Sequence, residues 1–446
     1  MNQKIFRAYD IRGIYPEDLN EESAHKIGSA FAIFIKKVSG KQNPEIVVGR
    51  DGRKSSAFLF EELKKGLIDQ GADVIDIGLS ATPTLYFAVS RWNTDGGINV
   101  TASHNPKEYN GFKMVREKAI PLSKERGIEE IKEMVLAGNF VKPEREGMVV
   151  ERSINEEYIA GNSVSESFDF KVVVDTANSA SGILVPQMLK NFNLVHLFSE
   201  IDGNFPNHEP DPNKAENIKI LKEKVVEEKA DLGIGLDGDG DRMVFVDEKG
   251  EVVPSDFILC LVSGSTLKEK PGTKVLYDIR SSNIVRETIE KMGGEAVVSK
   301  IGHSYIKEAM REKGIALGGE YTGHYYSENN GNYFETPYLF LFSVLREMKR
   351  TGKPLSELIE PFKIYHHSPE IAFKTENSSE IIERVKENYS DGKATTIDGL
   401  RVDFDDWWFL LRASNTEPIL KLVVEAETEG LMQEKIREIE ELINAR

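Results

Sequence analysis

Cysteine is nearly absent from this sequence. Cys260 is the single cysteine among 446 residues, so no disulfide can form within the chain, and its stability does not depend on an oxidising compartment. Cys260 lies in the apolar run 257–262, and we interpret it as a core residue rather than a catalytic thiol.

Long apolar runs are also missing. No run approaches the ~20 residues that a membrane-spanning helix needs. Residues 1–6 lack the apolar region of a secretory signal. We therefore expect a cytoplasmic protein without a membrane partner.

Positive charge is scarce as well. The chain has 57 Lys and Arg against 74 Asp and Glu, which gives a formal net charge of −17. Nucleic-acid-binding proteins need clustered cations, so that class is disfavoured. An enzyme that binds phosphate is not excluded, because a local cationic cleft can lie in an acidic protein. The length is too great for one ordinary hydrophobic core, which favours several domains.

Three parts of the chain share one pattern, in which a short apolar strand precedes a polar stretch with paired small residues. The strands lie at 45–51, 171–175 and 274–278, and the small residues lie at 55–56, 179–181 and 281–282. The small residues indicate helix N-termini. A second strand then runs into a polar, glycine-bearing loop, at 97–106, 232–242 and 315–324. This alternation predicts three related α/β domains with mixed, largely parallel sheets, which bind ligands at the carboxyl ends of their strands.

The last ~80 residues differ from the rest. Strand patterns at 371–373, 407–411 and 420–424, followed by an amphipathic helix at 434–443, predict a small α+β domain. We place a linker at 361–369. The predicted domains are 1–150, 151–252, 253–364 and 365–446.

Asp237, Asp239 and Asp241 alternate with glycines directly after an apolar strand. Three carboxylates this close repel one another unless a cation neutralises them, and glycine permits the turns that make their oxygens converge. Hard oxygen ligands suit Mg²⁺. An acidic turn is the alternative; an EF-hand calcium loop is disfavoured, because the apolar strand pattern 243–246 interrupts the twelve residues that such a loop needs.

Two further loops follow strands. Ser103, in 103–106, can project from a strand end, although Asn-Pro also favours an ordinary turn. No nucleophile elbow surrounds it, which disfavours an acyl-transfer triad. The loop 412–418 offers a guanidinium, two hydroxyls and backbone N–H groups, which suit a phosphate dianion, and a hydrated hairpin is the alternative.

Single polar residues are less informative. His303 and His324 each lie beside a glycine after a strand, and a lone histidine is more often structural. Lys113, taken by itself, is expected to be a solvated lysine.

In combination, the motifs resemble those of the α-D-phosphohexomutase family along essentially the whole chain. They lie at 9–13, 101–106, 110–113, 237–242, 319–324 and 412–418. The resemblance is closest to the phosphomannomutase/phosphoglucomutase branch, because phosphoglucosamine mutases usually have Pro and Gly where this chain has Ala413 and Asn415. Thr322 is a departure, since that branch usually has Ser there; the hydroxyl is kept and a methyl group is added.

The resemblance implies four domains around one central cleft, and it assigns roles to individual residues. Ser103 would be the phosphoserine and, with Asp237, Asp239 and Asp241, would bind the metal. The groups around the reacting phosphate would be Arg12, His104, Lys113, Arg242 and His303. The substrate contacts would be Glu320, Thr322 and His324 to the sugar, with Arg412, Ser414, Asn415 and Thr416 at its other phosphate.

The implied activity is interconversion of hexose 1-phosphate and hexose 6-phosphate, with mannose and/or glucose as the sugar. Mg²⁺ would be the cofactor and a hexose 1,6-bisphosphate the intermediate and activator. The residue types suit phosphoryl transfer, which needs positioning and charge neutralisation, with Lys113 or His303 as the base. The alternatives are a phosphoglucosamine mutase, which differs only in the sugar, and a metal-dependent sugar phosphatase, which needs no second phosphate clamp. A non-catalytic sugar-phosphate sensor could have lost Ser103 or the aspartates, and this chain keeps both.

Overall fold

The computed structural model describes residues 2–413 and 418–445. The described chain forms four β-sheets that follow one another along the sequence, each with its own helices. The predicted arrangement of three α/β domains with mixed sheets and a C-terminal α+β domain is confirmed. No helix of these residues is long and apolar enough to cross a membrane.

The first domain is built on a seven-stranded sheet. Its strands are β1 Ile11–Ile14, β2 Glu45–Arg50, β3 Asp73–Leu79, β4 Gly96–Val100, β5 Tyr109–Arg116, β6 Ile120–Pro121 and β7 Val149–Glu151. Its helices are α1 Glu21–Ser39, α2 Lys54–Asp69, α3 Thr82–Trp92 and α4 Glu129–Ala137. The sheet order is β1-β5-β4-β2-β3-β7, with β6 beside β5. β2 pairs in parallel with β3 and β4, whereas β5 runs antiparallel to β4.

Local sequence explains these elements. Ile46, Val47 and Val48 of β2 are all buried, as expected of β-branched and apolar residues in a strand covered on both faces. The helix α1 begins at Asn20, whose side chain forms a capping box with Ser23, and the chain leaves it at Gly40 with a left-handed φ of 72°.

The second and third domains repeat one topology. The second contains β8 Lys171–Asp175, β9 Asn193–Leu197, β10 Leu232–Leu236, β11 Met243–Val246 and β12 Val252–Val253, with α5 Asn155–Asn162, α6 Val185–Met188 and α7 Ala215–Glu227. The third contains β13 Lys274–Asp278, β14 Glu295–Ser299, β15 Leu317–Gly319, β16 Tyr325–Asn329 and β17 Asn332–Glu335, with α8 Ser255–Glu269, α9 Asn283–Lys291, α10 His303–Lys313, α11 Pro337–Thr351 and α12 Leu355–Ile359. In each sheet three parallel strands are extended by two antiparallel ones.

The fourth domain is a mainly antiparallel sheet with two helices. Its strands are β18 His366–His367, β19 Ile371–Lys374, β20 Lys393–Thr395, β21 Leu400–Asp403, β22 Trp407–Ala413 and β23 Ile419–Ala426, and its helices are α13 Ser378–Asn388 and α14 Glu429–Asn444. The connection from the third domain is shorter than the predicted linker 361–369. A 3₁₀ helix continues to Phe362, and β18 already pairs with β23, which leaves 363–365 between them.

Buried apolar side chains join the first three domains. Phe87, Tyr158, Phe245 and Tyr325, from different elements of these domains, belong to one continuous cluster. Cys260 is buried in the same cluster, which confirms its prediction as a core residue. The fourth domain has its own core between its sheet and α14. The carboxyl ends of β4, β10 and β15 are therefore carried by a continuously packed body.

Candidate active site

The loop between β4 and β5 carries Ser103 in a strained conformation. Its φ is +53°, in the left-handed region that residues other than glycine rarely occupy. The buried Arg53, which precedes α2, donates hydrogen bonds to the carbonyl oxygens of Ser103 and Asn105, both at 2.7 Å. The Ser103 N–H donates to the Thr101 hydroxyl at 2.9 Å. These contacts hold the serine in a conformation that the loop alone would not keep.

The loop after β10 in the second domain contacts this serine directly. Ser103 Oγ donates to Asp237 Oδ2 at 2.7 Å. A Cβ atom on Gly238 would lie 2.3 Å from the carbonyl oxygen of Ser103, so only glycine permits the approach. Two loops that are 134 residues apart in sequence thus form one site.

Asp237, Asp239 and Asp241 are all buried, and one ligand oxygen from each lies within 4.8 Å of the others. Lys113 Nζ lies 2.7 Å from Asp239 Oδ2 and also donates to Asp241. Asp239 Oδ1 is buried and accepts no hydrogen bond from the part of the chain that the structure describes. Three converging carboxylates with an unpartnered oxygen form an all-oxygen set that fits a divalent cation.

The electrostatics of the cluster follow from burial and crowding. Burial, together with the charges of Asp241 and Asp239, raises the pKa of Asp237 well above its usual value. Burial acts in the same direction on Asp241, but Lys113 and His324 outweigh it and hold the pKa of Asp241 well below its usual value. The pKa values of Asp237 and Asp241 are therefore pushed in opposite directions within one cluster.

The expectation of a solvated Lys113 is wrong. The side chain is 5% exposed and points from β5 into the carboxylate cluster. Burial disfavours its charged form, but Asp239 and Asp241 outweigh that effect and raise the pKa of Lys113 above its usual value. The neighbours of Lys113 in sequence give no sign of this burial, because both of its partners lie more than 120 residues further along the chain.

The loop between β15 and β16 brings Glu320 and His324 to the same place. His324 Nε2 lies 3.2 Å from Asp241 Oδ1, and His324 Nδ1 lies 3.3 Å from Glu320 Oε1. Burial lowers the pKa of His324, but the two carboxylates more than compensate and raise it to about 9. Burial likewise opposes ionisation of Glu320, yet His324 and Arg280 lower its pKa to about 2. A backbone bridge between Arg242 and His324 ties the second and third domains together here.

These loops surround a cleft of 470 Å³. Its wall contains the following predicted residues besides Ser103, Glu320 and His324: Arg12, His104, Lys113, Arg242, His303 and Thr322. Arg12 is oriented by hydrogen bonds to Asp10 and Asn105. His104 Nδ1 lies 3.2 Å from Ser103 Oγ. The chemistry of the wall is that of an anion site beside a nucleophilic hydroxyl.

Two histidines of the cleft wall, unlike His324, have a pKa below the usual value. Burial, followed by the charges of Arg242 and Arg12, lowers the pKa of His104 well below its usual value. Burial, followed by Lys307 and Lys113, does the same for the pKa of His303. A neutral imidazole has a nitrogen that can accept a proton.

Arg412, at the end of β22 in the fourth domain, is not among the described residues that line the cleft. Arg412 Nη1 lies 4.0 Å from Asp398 Oδ1. Asp398 also accepts a hydrogen bond at 3.0 Å from the N–H of Ile301, which lines the cleft. The predicted substrate residues Ser414, Asn415 and Thr416 lie outside the described residues.

Arg280, which lines the cleft beside Glu320, was not predicted from the sequence. Arg280 makes two hydrogen bonds to Asp278, at 3.0 and 2.8 Å, and its Nη2 lies 3.5 Å from Glu320 Oε2. The repeat contained a signal for it. Asp51 and Arg53 after β2 stand in the same spacing as Asp278 and Arg280 after β13, and both arginines bond the aspartate before them.

Comparison with known proteins gives four successive matches along this chain. Family models for phosphoglucomutase/phosphomannomutase alpha/beta/alpha domains I, II and III match residues 3–142, 153–250 and 254–365, and the C-terminal domain model matches 370–442. A phosphomannomutase from Methanocaldococcus jannaschii is 40% identical, over 98% of this chain and 97% of its own. A phosphomannomutase/phosphoglucomutase from Pseudomonas syringae is 39% identical, over 96% of this chain and 92% of its own.

A crystal structure of a phosphoglucomutase/phosphomannomutase family protein from Burkholderia thailandensis superposes with a TM-score of 0.91 at 31% identity, covering 100% of this chain and 99% of that one. The fold and these relatives define a mutase of the phosphohexomutase class. The chain belongs to the phosphoglucomutase/phosphomannomutase family.

Proposed function

We propose that this mutase interconverts the 1-phosphate and 6-phosphate of mannose and/or glucose by way of a phosphorylated Ser103. The observation that carries the proposal is the 2.7 Å contact of Ser103 Oγ with Asp237, inside a buried three-carboxylate cluster supplied by another domain. The names of the relatives support mannose and glucose as the sugars.

Asp237, Asp239 and Asp241 would hold Mg²⁺, together with an oxygen on Ser103. The unpartnered Asp239 Oδ1 and the convergence of the three carboxylates support this assignment. A bound Mg²⁺ would neutralise charge on the transferred phosphoryl group. Lys113 stays charged beside the cluster and is suited to the same task rather than to accepting a proton.

In the first half-reaction, the bond between Ser103 Oγ and phosphorus breaks as a free hydroxyl oxygen of the sugar phosphate bonds to phosphorus. The freed Ser103 oxygen takes up one proton for the one that the sugar hydroxyl loses, and becomes the hydroxyl that donates to Asp237. The hydroxyl proton passes to a base, and the neutral imidazole of His303 is the group suited to take it. Arg12, His104 and Arg242, which line the cleft, would surround the reacting phosphate. The product of this step is a hexose 1,6-bisphosphate, which returns its other phosphoryl group to Ser103.

The sugar must bind in two orientations, because the 1- and 6-phosphates exchange places between the half-reactions. Glu320, Thr322 and His324 would contact its hydroxyls from the third domain. The residues assigned to the non-reacting phosphate are Arg412, Ser414, Asn415 and Thr416. A clamp that recognises only the dianion can accept either phosphate.

A phosphoglucosamine mutase would have the same cleft and differ only in the sugar, whereas a sugar phosphatase would release phosphate. One set of assays separates the three functions. Mannose 1-phosphate, glucose 1-phosphate and glucosamine 1-phosphate are supplied in parallel with Mg²⁺ and a catalytic amount of glucose 1,6-bisphosphate, and both isomerisation and free phosphate are measured. We expect isomerisation of mannose and/or glucose phosphate without stoichiometric phosphate release.

Mass spectrometry tests whether Ser103 carries the phosphate. Intact-mass analysis of active enzyme should show one phosphate, which peptide digestion locates at Ser103. Ser103→Ala should fold, lack this phosphate and lose nearly all turnover. Full activity in the alanine variant would overturn the proposed function.

A further inference from the structure

A buried ion pair lies directly behind His303. His303 and Lys307 are four residues apart on α10 and therefore share one face of that helix. Lys307 Nζ lies 2.9 and 3.0 Å from the two carboxylate oxygens of Glu335, at the end of β17. Both side chains are fully buried, and neither lines the cleft.

The ring of His303 stands between this pair and the cleft. Its Nδ1 is buried, lies 3.9 Å from Glu335 Oε1, and has no hydrogen-bond partner in the described part of the chain. The ring itself lines the cleft, in a T-shaped contact with Tyr9. Since Nδ1 faces the ion pair, Nε2 is the nitrogen left for the substrate.

The ion pair is held on its other side by the first domain. The ring of Tyr86, on α3, lies 4.2 Å from Lys307 Nζ, in the geometry of a cation–π contact. Lys307 and Glu335 thus lie at a contact between two domains, and neither side chain can move far. A buried pair of this kind adds little net stability, because desolvation of the two charges offsets their attraction.

We propose that Glu335, balanced by Lys307, positions His303 by holding the proton on its Nδ1 and leaving the Nε2 lone pair directed into the cleft. The distance of 3.9 Å exceeds a hydrogen bond by about 1 Å. Such contacts often tighten only when substrate is bound. Glu335 and Lys307 touch no substrate in this scheme and are positioning residues.

The balance between the two charges matters for His303. Glu335 alone would stabilise a protonated ring, whereas Lys307 opposes protonation, and burial and Lys307 are the leading causes of the lowered pKa of His303. The other charged groups that act on the ring are Lys113, Asp241 and His324. The pair therefore fixes the tautomer without making the imidazole cationic. The catalytic role of His303 in this inference rests on the proposed function, whereas the tautomer of its ring does not.

The tautomer can be measured without any assay of activity. Full-length protein with ¹⁵N-labelled histidine gives separate nitrogen shifts for protonated and unprotonated ring nitrogens, and His303→Ala assigns the signal. We expect a neutral ring with Nδ1–H in the wild type. In the double variant Lys307→Met/Glu335→Gln, which removes both charges together, we expect a mixture of tautomers. A wild-type ring protonated on Nε2, or one unchanged in the double variant, would overturn the inference.

The second test is kinetic, and it combines the double variant with His303→Ala in a mutant cycle. The double variant should keep its KM and lose about 10–100-fold in kcat, the usual effect of losing a partner that orients a functional histidine. In the His303→Ala background the same replacement should cost nothing further. An equal loss in both backgrounds would mean a structural role and would overturn the inference.

Two controls distinguish a general effect of removing an ion pair from a wrong assignment of the base. The pair Lys64–Asp76 in the first domain, 2.7 Å apart and largely buried, lies outside the cleft, so Lys64→Met/Asp76→Asn reports the general effect of removing an ion pair. If His303→Ala itself keeps wild-type kcat, the proposed base is wrong, and the tautomer measurement still decides the positioning role.

Discussion

Replacing Gly238 with alanine perturbs the contact between the serine loop and the metal loop without touching a charged group. The new Cβ would lie 2.3 Å from the Ser103 carbonyl oxygen, and ordinary van der Waals contact begins near 3.4 Å. The two loops must therefore separate by about 1 Å. The same carbonyl oxygen accepts the 2.7 Å hydrogen bond from Arg53, so the serine loop cannot shift freely.

The separation acts on the 2.7 Å hydrogen bond between Ser103 Oγ and Asp237, which spans the same interface. A misplacement of about 1 Å at a reacting group can cost on the order of 10²-fold in rate. We expect Gly238→Ala to lower kcat by about that factor, while overpacking destabilises the fold by roughly 1–3 kcal/mol.

The measurement compares kcat, thermal unfolding and phosphate content by intact mass for Gly238→Ala and a control glycine. A Cβ added at Gly430, in the first turn of α14, would meet no atom within 4 Å, so Gly430→Ala should keep wild-type kcat and unfold at the wild-type temperature or slightly above it. If Gly238→Ala also keeps wild-type kcat, the serine and metal loops do not need their close approach.

Three further changes test other parts of the cleft. Asp239→Ala should slow transfer and weaken its dependence on Mg²⁺, which a Mg²⁺ titration of the rate would measure; an unchanged titration would contradict the metal assignment. In metal-free enzyme, Glu320→Gln should lower the pKa of His324 from about 9, because one of its two carboxylate partners is lost, and an NMR titration would show it. The pKa of His324 is higher in the folded than in the unfolded protein, so the charged ring stabilises the fold fully below about pH 6.5, and this stabilisation is lost as the pH rises through about 9. Glu320→Gln should therefore lower the pH at which the stabilisation is lost. Arg412→Ala should weaken binding of sugar 1-phosphate and 6-phosphate by similar factors, which calorimetry can compare; a loss confined to one isomer would contradict a shared clamp.

Short-range patterns predicted much of the fold. The strands β2, β8 and β13 begin where apolar, β-branched runs predicted them, and Ser282 caps α9 as the paired small residues indicated. The ends of elements were predicted less accurately. The helix α14 begins at Glu429 rather than at 434, and the strand predicted at the start of 315–324 begins only at Leu317. Helix and strand ends depend on capping and on tertiary pairing, which a periodic pattern does not contain.

Residues whose role depends on distant partners were harder to predict. The three aspartates could be found because they lie within five positions of one another. Lys113 could not be recognised from its neighbours, since Asp239 and Asp241 reach it only after the second domain packs against the first. The buried pair of Lys307 and Glu335 could not be predicted for the same reason, because α10 and β17 meet only in the folded third domain.

The first three domains build their functional loops in the same way, and this explains how a site shared between domains keeps its geometry. Each loop leaves a parallel strand and returns on an antiparallel neighbour, as in β4 to β5, β10 to β11 and β15 to β16. Both ends of each loop are therefore fixed by strand pairing, and only its tip is free to contact the next domain. The tips then hold one another, through Ser103 on Asp237 and His324 on Asp241. Because each contact joins two domains, no single domain contains the site, and its geometry depends on the packing of all three.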